Sequence, residues 1–346
     1  MTARTSPVPS GRPSFLGAPR SAVLELLDAD VVAIGIPYTT PCDLASSRAP
    51  SSGAPETVRE QSQRFAGRTT HYDFDLGGDL FAGRRIRIVD GGDVWAVPGQ
   101  YEENARNATA VLEGVLDRGA LPIVLGGDHA ASIPGVRAHA GRGPLCVVHF
   151  GASLDWQDRV NGVRDGAPSA MRRVAELPCV TAMLQVGIRG SGSARPRDVD
   201  DARAFGSVLV RAEELHEAGV PAILHRLPPA PRYYVSLDVG ALDPAIAPGV
   251  ETPAFGGLDY FEATNLLKGI AARAPVVGID LVGISPARDL HDTTSLLGAR
   301  LLLNLVGALA HAGRIGAVDG TGAASRRPDP RTALAAGDHL ATVGRR

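Results

Sequence analysis

Residues 233–244 read YYVSLDVGALDP, an apolar, β-rich run from Tyr233 to Leu237 followed by a polar, glycine-containing stretch from Asp238 to Pro244. A short apolar run that ends in turn-forming residues predicts a strand buried on both faces. Runs of the same kind recur at Val31 to Ile36, Ile86 to Val89, Pro122 to Leu125, Leu145 to Phe150, Ala182 to Ile188 and Val276 to Leu281. Between them lie Tyr101 to Arg118, Gly162 to Glu176, Tyr260 to Ala272 and Ser295 to His311, where apolar residues return at three- and four-residue intervals. That spacing predicts helices with one apolar face. Strands alternating with helices predict parallel pairing through right-handed crossovers. Strands that are apolar throughout predict helices on both sides of the sheet. The expected fold class is therefore α/β: three layers, α/β/α, around a mostly parallel sheet.

The chain of 346 residues is long enough for one large α/β domain, expected over residues 21–315. Residues 1–20, rich in Pro, Ser and Gly, are expected to form a flexible extension, and residues 316–346 a disordered tail. Lys plus Arg number 35 and Asp plus Glu 37, with no basic block, which argues against nucleic acid as a partner. Cys42, Cys146 and Cys179 have neither disulfide-framework nor zinc spacing and are expected to be small buried hydrophobes. No signal-type run opens the chain, and no charge-free apolar stretch reaches the ~20 residues of a membrane span. A cytoplasmic protein without a membrane partner is expected.

In an open parallel sheet, ligands bind beyond the carboxyl ends of the strands. Four polar stretches lie there: Gly126-Gly127-Asp128-His129, Gly151 to Asp155, Asp238 to Pro244, and Gly278 to Gly283. Together they bring His129, Asp155 and Asp238 to one rim. No GxGxxG or P-loop pattern surrounds Gly126 and Gly127, so a phosphate loop is not expected.

In this order the four stretches resemble the signatures of the ureohydrolase family, the arginases and agmatinases: GGDH, DAHxD, SxDxDxxDP and GxDxVE. The likeness extends over nearly the whole chain. Gly11 to Asp43 looks like an agmatinase N-terminus, Ser52 to Glu60 like a family loop, and Gly187-Ile188-Arg189 like a family strand end. Agmatinase is the nearer likeness. The resemblance implies an arginase-like fold, assembly into homo-oligomers (trimers or hexamers), and a small-molecule ligand. In the family, two manganese ions share a hydroxide that attacks a guanidinium carbon and releases urea.

Carried over residue by residue, the resemblance makes His129, Asp155 and Asp238 ligands of one ion. Positions 151, 153 and 240, where it expects the remaining ligands, are Gly151, Ser153 and Gly240. Asp165 stands in place of a histidine thought to move protons, and Gly283 in place of a glutamate that pairs with the guanidinium. The expected cofactor is therefore none, or one divalent manganese or iron ion, rather than a binuclear centre.

Losing a proton-transfer group alone commonly costs ~100- to 10,000-fold in rate. The first expectation is thus a pseudoenzyme or ligand-binding member of the family. A repurposed enzyme of specialised metabolism, with Asp165 and Glu251 as catalytic acids and bases, is a second. Residual agmatinase-like urea release is a third. Arg189 and Ser153 are the candidate substrate contacts, while Asp165 and Glu251, each taken singly, read first as solvated surface acids. His149 reads as a packed core histidine.

Overall fold

A strand that is apolar throughout needs cover on both faces, and alternate residues of Val31–Ile36 show how it is supplied. Val31 and Ala33 pack into one buried cluster with Ala54, Val58 and Leu301, whereas Val32, Ile34 and Ile36 pack into another with Ala108, Val111 and Leu112. The protein is seen in a computed structural model that describes residues 5–6, 11–21, 28–40, 51–97 and 99–318.

The main sheet comprises β1 (Thr5–Ser6), β2 (Val31–Ile36), β3 (Ile88–Val94), β4 (Leu121–Gly126), β5 (Leu145–Phe150), β6 (Val180–Ile188), β7 (Ser207–Arg211), β8 (Tyr233–Asp238) and β9 (Val276–Val282). Their order is β1-β3-β2-β4-β9-β8-β5-β6-β7. All neighbours are parallel except β1, which pairs antiparallel with β3. The helices are α1 (Ala54–Ser62), α2 (Tyr101–Asp117), α3 (Ser132–Arg137), α4 (Ala170–Ala175), α5 (Pro196–Phe205), α6 (Ala212–His225), α7 (Tyr260–Arg273) and α8 (Thr293–His311). Residues of α1, α6, α7 and α8 join the first cluster, and those of α2 to α5 pack on the opposite face. The three-layer α/β/α expectation is met.

The expected strands recur with shifted ends, whereas β1, β7 and helices α3, α5 and α6 lie outside the expected elements. Ser52 to Glu60, read as a loop, is largely α1, whose Pro55 stands in the first turn where its missing N–H costs nothing. Gly162 to Glu176 is helical only over α4, after a 3₁₀ turn at Ala167–Ser169, because Pro168 disfavours helix in the residue before it. Among the described N-terminal residues, Thr5 and Ser6 pair with Val94 and Asp93, and Phe15 is fully buried. Cys146 and Cys179 are buried free thiols, while Cys42 and the tail from 319 onward lie outside the described residues. Helix α8 lies in a segment, Leu290–His311, that is apolar and long enough to cross a membrane by length and composition. Some 78% of its apolar window is buried inside this fold, however, as in a core helix.

Two ion-pair networks tie loops to this frame. Arg59, in α1, donates to Asp90 Oδ2 at 2.8 Å, to Asp90 Oδ1 at 3.1 Å and to Asp93 at 2.6 Å, while the Phe15 N–H also donates to Asp90. Arg59 and Asp90 are both buried, so removing one leaves an uncompensated charge. Arg59→Met is expected to lose ~3–5 kcal/mol in equilibrium denaturation, and a loss below ~1 kcal/mol would contradict this.

In the second network Arg300, on α8, donates to both oxygens of Asp73 and to Asp75. Burial works against these two charges, but bonds from Arg300, and from Tyr260 to Asp75, hold both carboxyls below the usual range. Their contribution is present above the unfolded carboxylate pKa of about 3.9 and is lost as pH falls through the lower folded values. Acid titration of stability should therefore be shallower in Arg300→Met than in the parent, and equal slopes would contradict the assignment.

Candidate functional site

Asp280 on β9, Ser236 on β8, His149 on β5 and Gln185 on β6 are register partners in four adjacent strands, and all four are fully buried. Polar groups in such a row must find partners in one another or in the residues packed over them. Ser236 Oγ donates to Asp280 Oδ1 at 2.8 Å, so its oxygen is left to accept from His129 Nε2 at 3.0 Å. The other ring nitrogen, Nδ1, lies 2.7 Å from Asp155 Oδ2. A carboxylate accepts, so both nitrogens of His129 carry protons. Burial opposes that cation, but the hydrogen bond and charge of Asp155, with Asp238 and Asp280 behind it, raise the His129 pKa to about 9.

The backbone presents these groups at the strand ends. His129 opens a 3₁₀ turn just after β4, capped by Asp128, whose side chain accepts the Ala130 N–H. Asp155 sits in the left-handed region, with φ of 51°, a conformation that costs a non-glycine residue ~1–3 kcal/mol. N–H groups of Met171 and Arg172 hold its carbonyl and keep it there. The His149 ring lies against His129, with centroids 4.7 Å apart, and burial followed by the His129 charge keeps it neutral, its pKa well below the usual value.

Donor atoms of His129, His149 and Asp155 all lie within 4.8 Å of one another, a grouping that could hold one metal ion. Asp238, expected to be the third ligand, is outside this group. Its Oδ1 accepts the Gly240 N–H at 2.8 Å, and burial, with neighbouring carboxylates, pushes its pKa up to about 6. His149, read from sequence as a core residue, is both fully buried and part of the group. The available signal was its place two residues before Gly151, in the same strand end as Asp155.

The other candidates lie elsewhere. Asp165 is paired with Arg137 at 3.2 Å and Arg164 at 3.3 Å, Glu251 is exposed on the loop after β8, and Ser153 is half-buried at the rim. Arg189, expected to touch substrate, instead donates to the backbone carbonyls of Gly187, Gly240, Ala241, Leu242, Ala254 and Phe255. Its guanidinium is saturated by the rim loops it ties together. Asp243 helps from below, accepting N–H bonds from Ala245, Gly256 and Gly257.

A family model described as "Arginase family" matches residues 29–307. Guanidinopropionase from Pseudomonas aeruginosa is 34% identical over 310 residues, 87% of this chain and 92% of that protein. The solved proclavaminate amidinohydrolase from Streptomyces clavuligerus superimposes with a TM-score of 0.76 at 31% identity, over 88% of this chain and 98% of that one. Formiminoglutamase from Trypanosoma cruzi, solved with Mn2+2, gives a TM-score of 0.74 at 25% identity, over 86% and 99% of the two chains.

If Arg189 ties the rim loops together, Arg189→Ala should destabilise the protein by ~3 kcal/mol and speed hydrogen exchange across residues 240–257, because several carbonyls lose a charged donor. Lysine should rescue only part, lacking the planar fork. Unchanged exchange in Arg189→Ala would return the residue to a substrate role.

Proposed function

This chain belongs to the arginase family, and from that premise we propose that it is a divergent ureohydrolase: a slow, agmatinase-like hydrolase of guanidino compounds that works from one half of the family's metal site. The observation that carries this reading is the buried His129–Asp155 pair. The Asp280–Ser236 bond keeps the His129 proton on Nε2 and leaves Nδ1 facing Asp155, the arrangement in which Nδ1 can exchange its proton for an ion. A single divalent ion held by Nδ1 and Asp155 would supply a polarised water there. Whole-length likeness to relatives named for guanidino and amidino hydrolysis supports the substrate class.

Two ions do not fit the residues present. Gly151, Ser153 and Gly240 offer no carboxylate or imidazole, and the space is filled from within the site. A Cβ at position 151 would lie 2.2 Å from His149 Nε2, and one at Gly283 would lie 2.3 Å from Asp238 Oδ1. Two groups of the site thus stand where side chains at 151 and 283 would begin. The chain's own work is then to hold the ion's two ligands in one protonation pattern and to shape the rim through Arg189. A homo-oligomer, trimer or hexamer, is proposed from the family resemblance.

A second reading, a binding protein without turnover, draws on Gly283, which has no side chain to pair with a guanidinium. Urea release from agmatine, 3-guanidinopropionate and 4-guanidinobutyrate, with added manganese or iron, separates the two. The proposal expects release proportional to enzyme, ~100- to 10,000-fold slower than by the Pseudomonas guanidinopropionase assayed alongside, and abolished by His129→Ala. No release above the His129→Ala blank would sink it and leave the second reading.

A further inference from the structure

We propose that Gln185 decides what this site binds, by fixing His149 as a hydrogen-bond donor and so withholding it as a metal ligand. The inference rests on the one-ion reading above and narrows it to His129 and Asp155.

The Leu154 carbonyl can only accept, so the Gln185 atom 2.9 Å from it is the amide nitrogen. Ser207 Oγ, 3.1 Å from the other end, donates to the amide oxygen, which agrees with that orientation. The same Gln185 nitrogen lies 3.0 Å from His149 Nδ1, so Nδ1 must accept and the single proton of the neutral ring sits on Nε2. An N–H at Nε2 has no lone pair to give an ion.

That N–H is also unspent. Nε2 is buried and has no hydrogen-bond partner among the described residues, and Asp155 Oδ2, at 4.0 Å, is beyond hydrogen-bonding distance. The ring reaches this place because residue 151 is glycine, since a Cβ there would lie 2.2 Å from Nε2. At the position where the resemblance expects an acidic ligand, the chain therefore presents a donor.

The test uses the full-length protein with ¹⁵N-labelled histidine. Long-range ¹⁵N–¹H NMR should show His149 with a bare Nδ1 and a protonated Nε2. The opposite tautomer overturns the proposal. In Gln185→Glu the carboxylate accepts from Nδ1–H and frees Nε2 as a ligand. Cobalt(II) should then bind about 10- to 100-fold more tightly than to the parent, and the gain should vanish in Gln185→Glu with His149→Phe. Unchanged cobalt affinity in a folded Gln185→Glu protein overturns the proposal, and if that variant fails to fold, the parent's tautomer decides alone. Urea release with the opposite tautomer would spare the hydrolase reading and remove this one; the expected tautomer without urea release would do the reverse.

Discussion

A sheet covered on both faces by helices has no water to offer its side chains, yet this one carries Asp280, Ser236, His149 and Gln185 in a single row across four strands. The row must satisfy itself, and each bond it makes fixes the direction of the next. Asp280 accepts from the Ser236 hydroxyl, the Ser236 oxygen therefore accepts from His129 Nε2–H, and His129 is left with Nδ1 against Asp155. From the other end, Leu154 fixes Gln185 and Gln185 fixes His149. The two imidazoles meet in the middle with opposite assignments, one a cation and one neutral. The chemistry available at the rim follows from this chain of constraints more than from any single residue.

Much of the frame was legible from pattern alone, because buried parallel strands are short apolar runs and long amphipathic helices repeat visibly. The rim was legible for a topological reason: polar residues directly after such strands fall at the sheet's carboxyl edge, which is why His129 and Asp155 could be placed together. Helix α1 is not evident from the family-loop likeness of its sequence, although Pro55 and Glu56 mark its first turn. Gly162 to Glu176 was overcalled because its apolar spacing was given more weight than Pro168.

The site was less legible, for reasons that lie in register and in distant backbone. Nothing local says that Arg189 faces carbonyls of residues 240–242 and 254–255, so a strand-end arginine reads as an anion site until those loops are seen. His149 was separable from an ordinary core histidine only once its row neighbours were known. Asp238 ends β8, where its Oδ1 accepts the Gly240 N–H, and it lies outside the group formed by His129, His149 and Asp155. Gly151, Ser153, Gly240 and Gly283 alone favour a protein without turnover, whereas whole-length similarity to relatives named for guanidino and amidino hydrolysis and the buried His129–Asp155 pair favour the slow, one-ion hydrolase proposed above.

If half of a two-ion site remains, manganese titrated into the metal-stripped protein, with bound ions counted per chain after equilibrium dialysis and His129→Ala run alongside, should reach one ion per chain at saturation and none in the variant. Two ions per chain, or none in the parent, would overturn the one-ion reading.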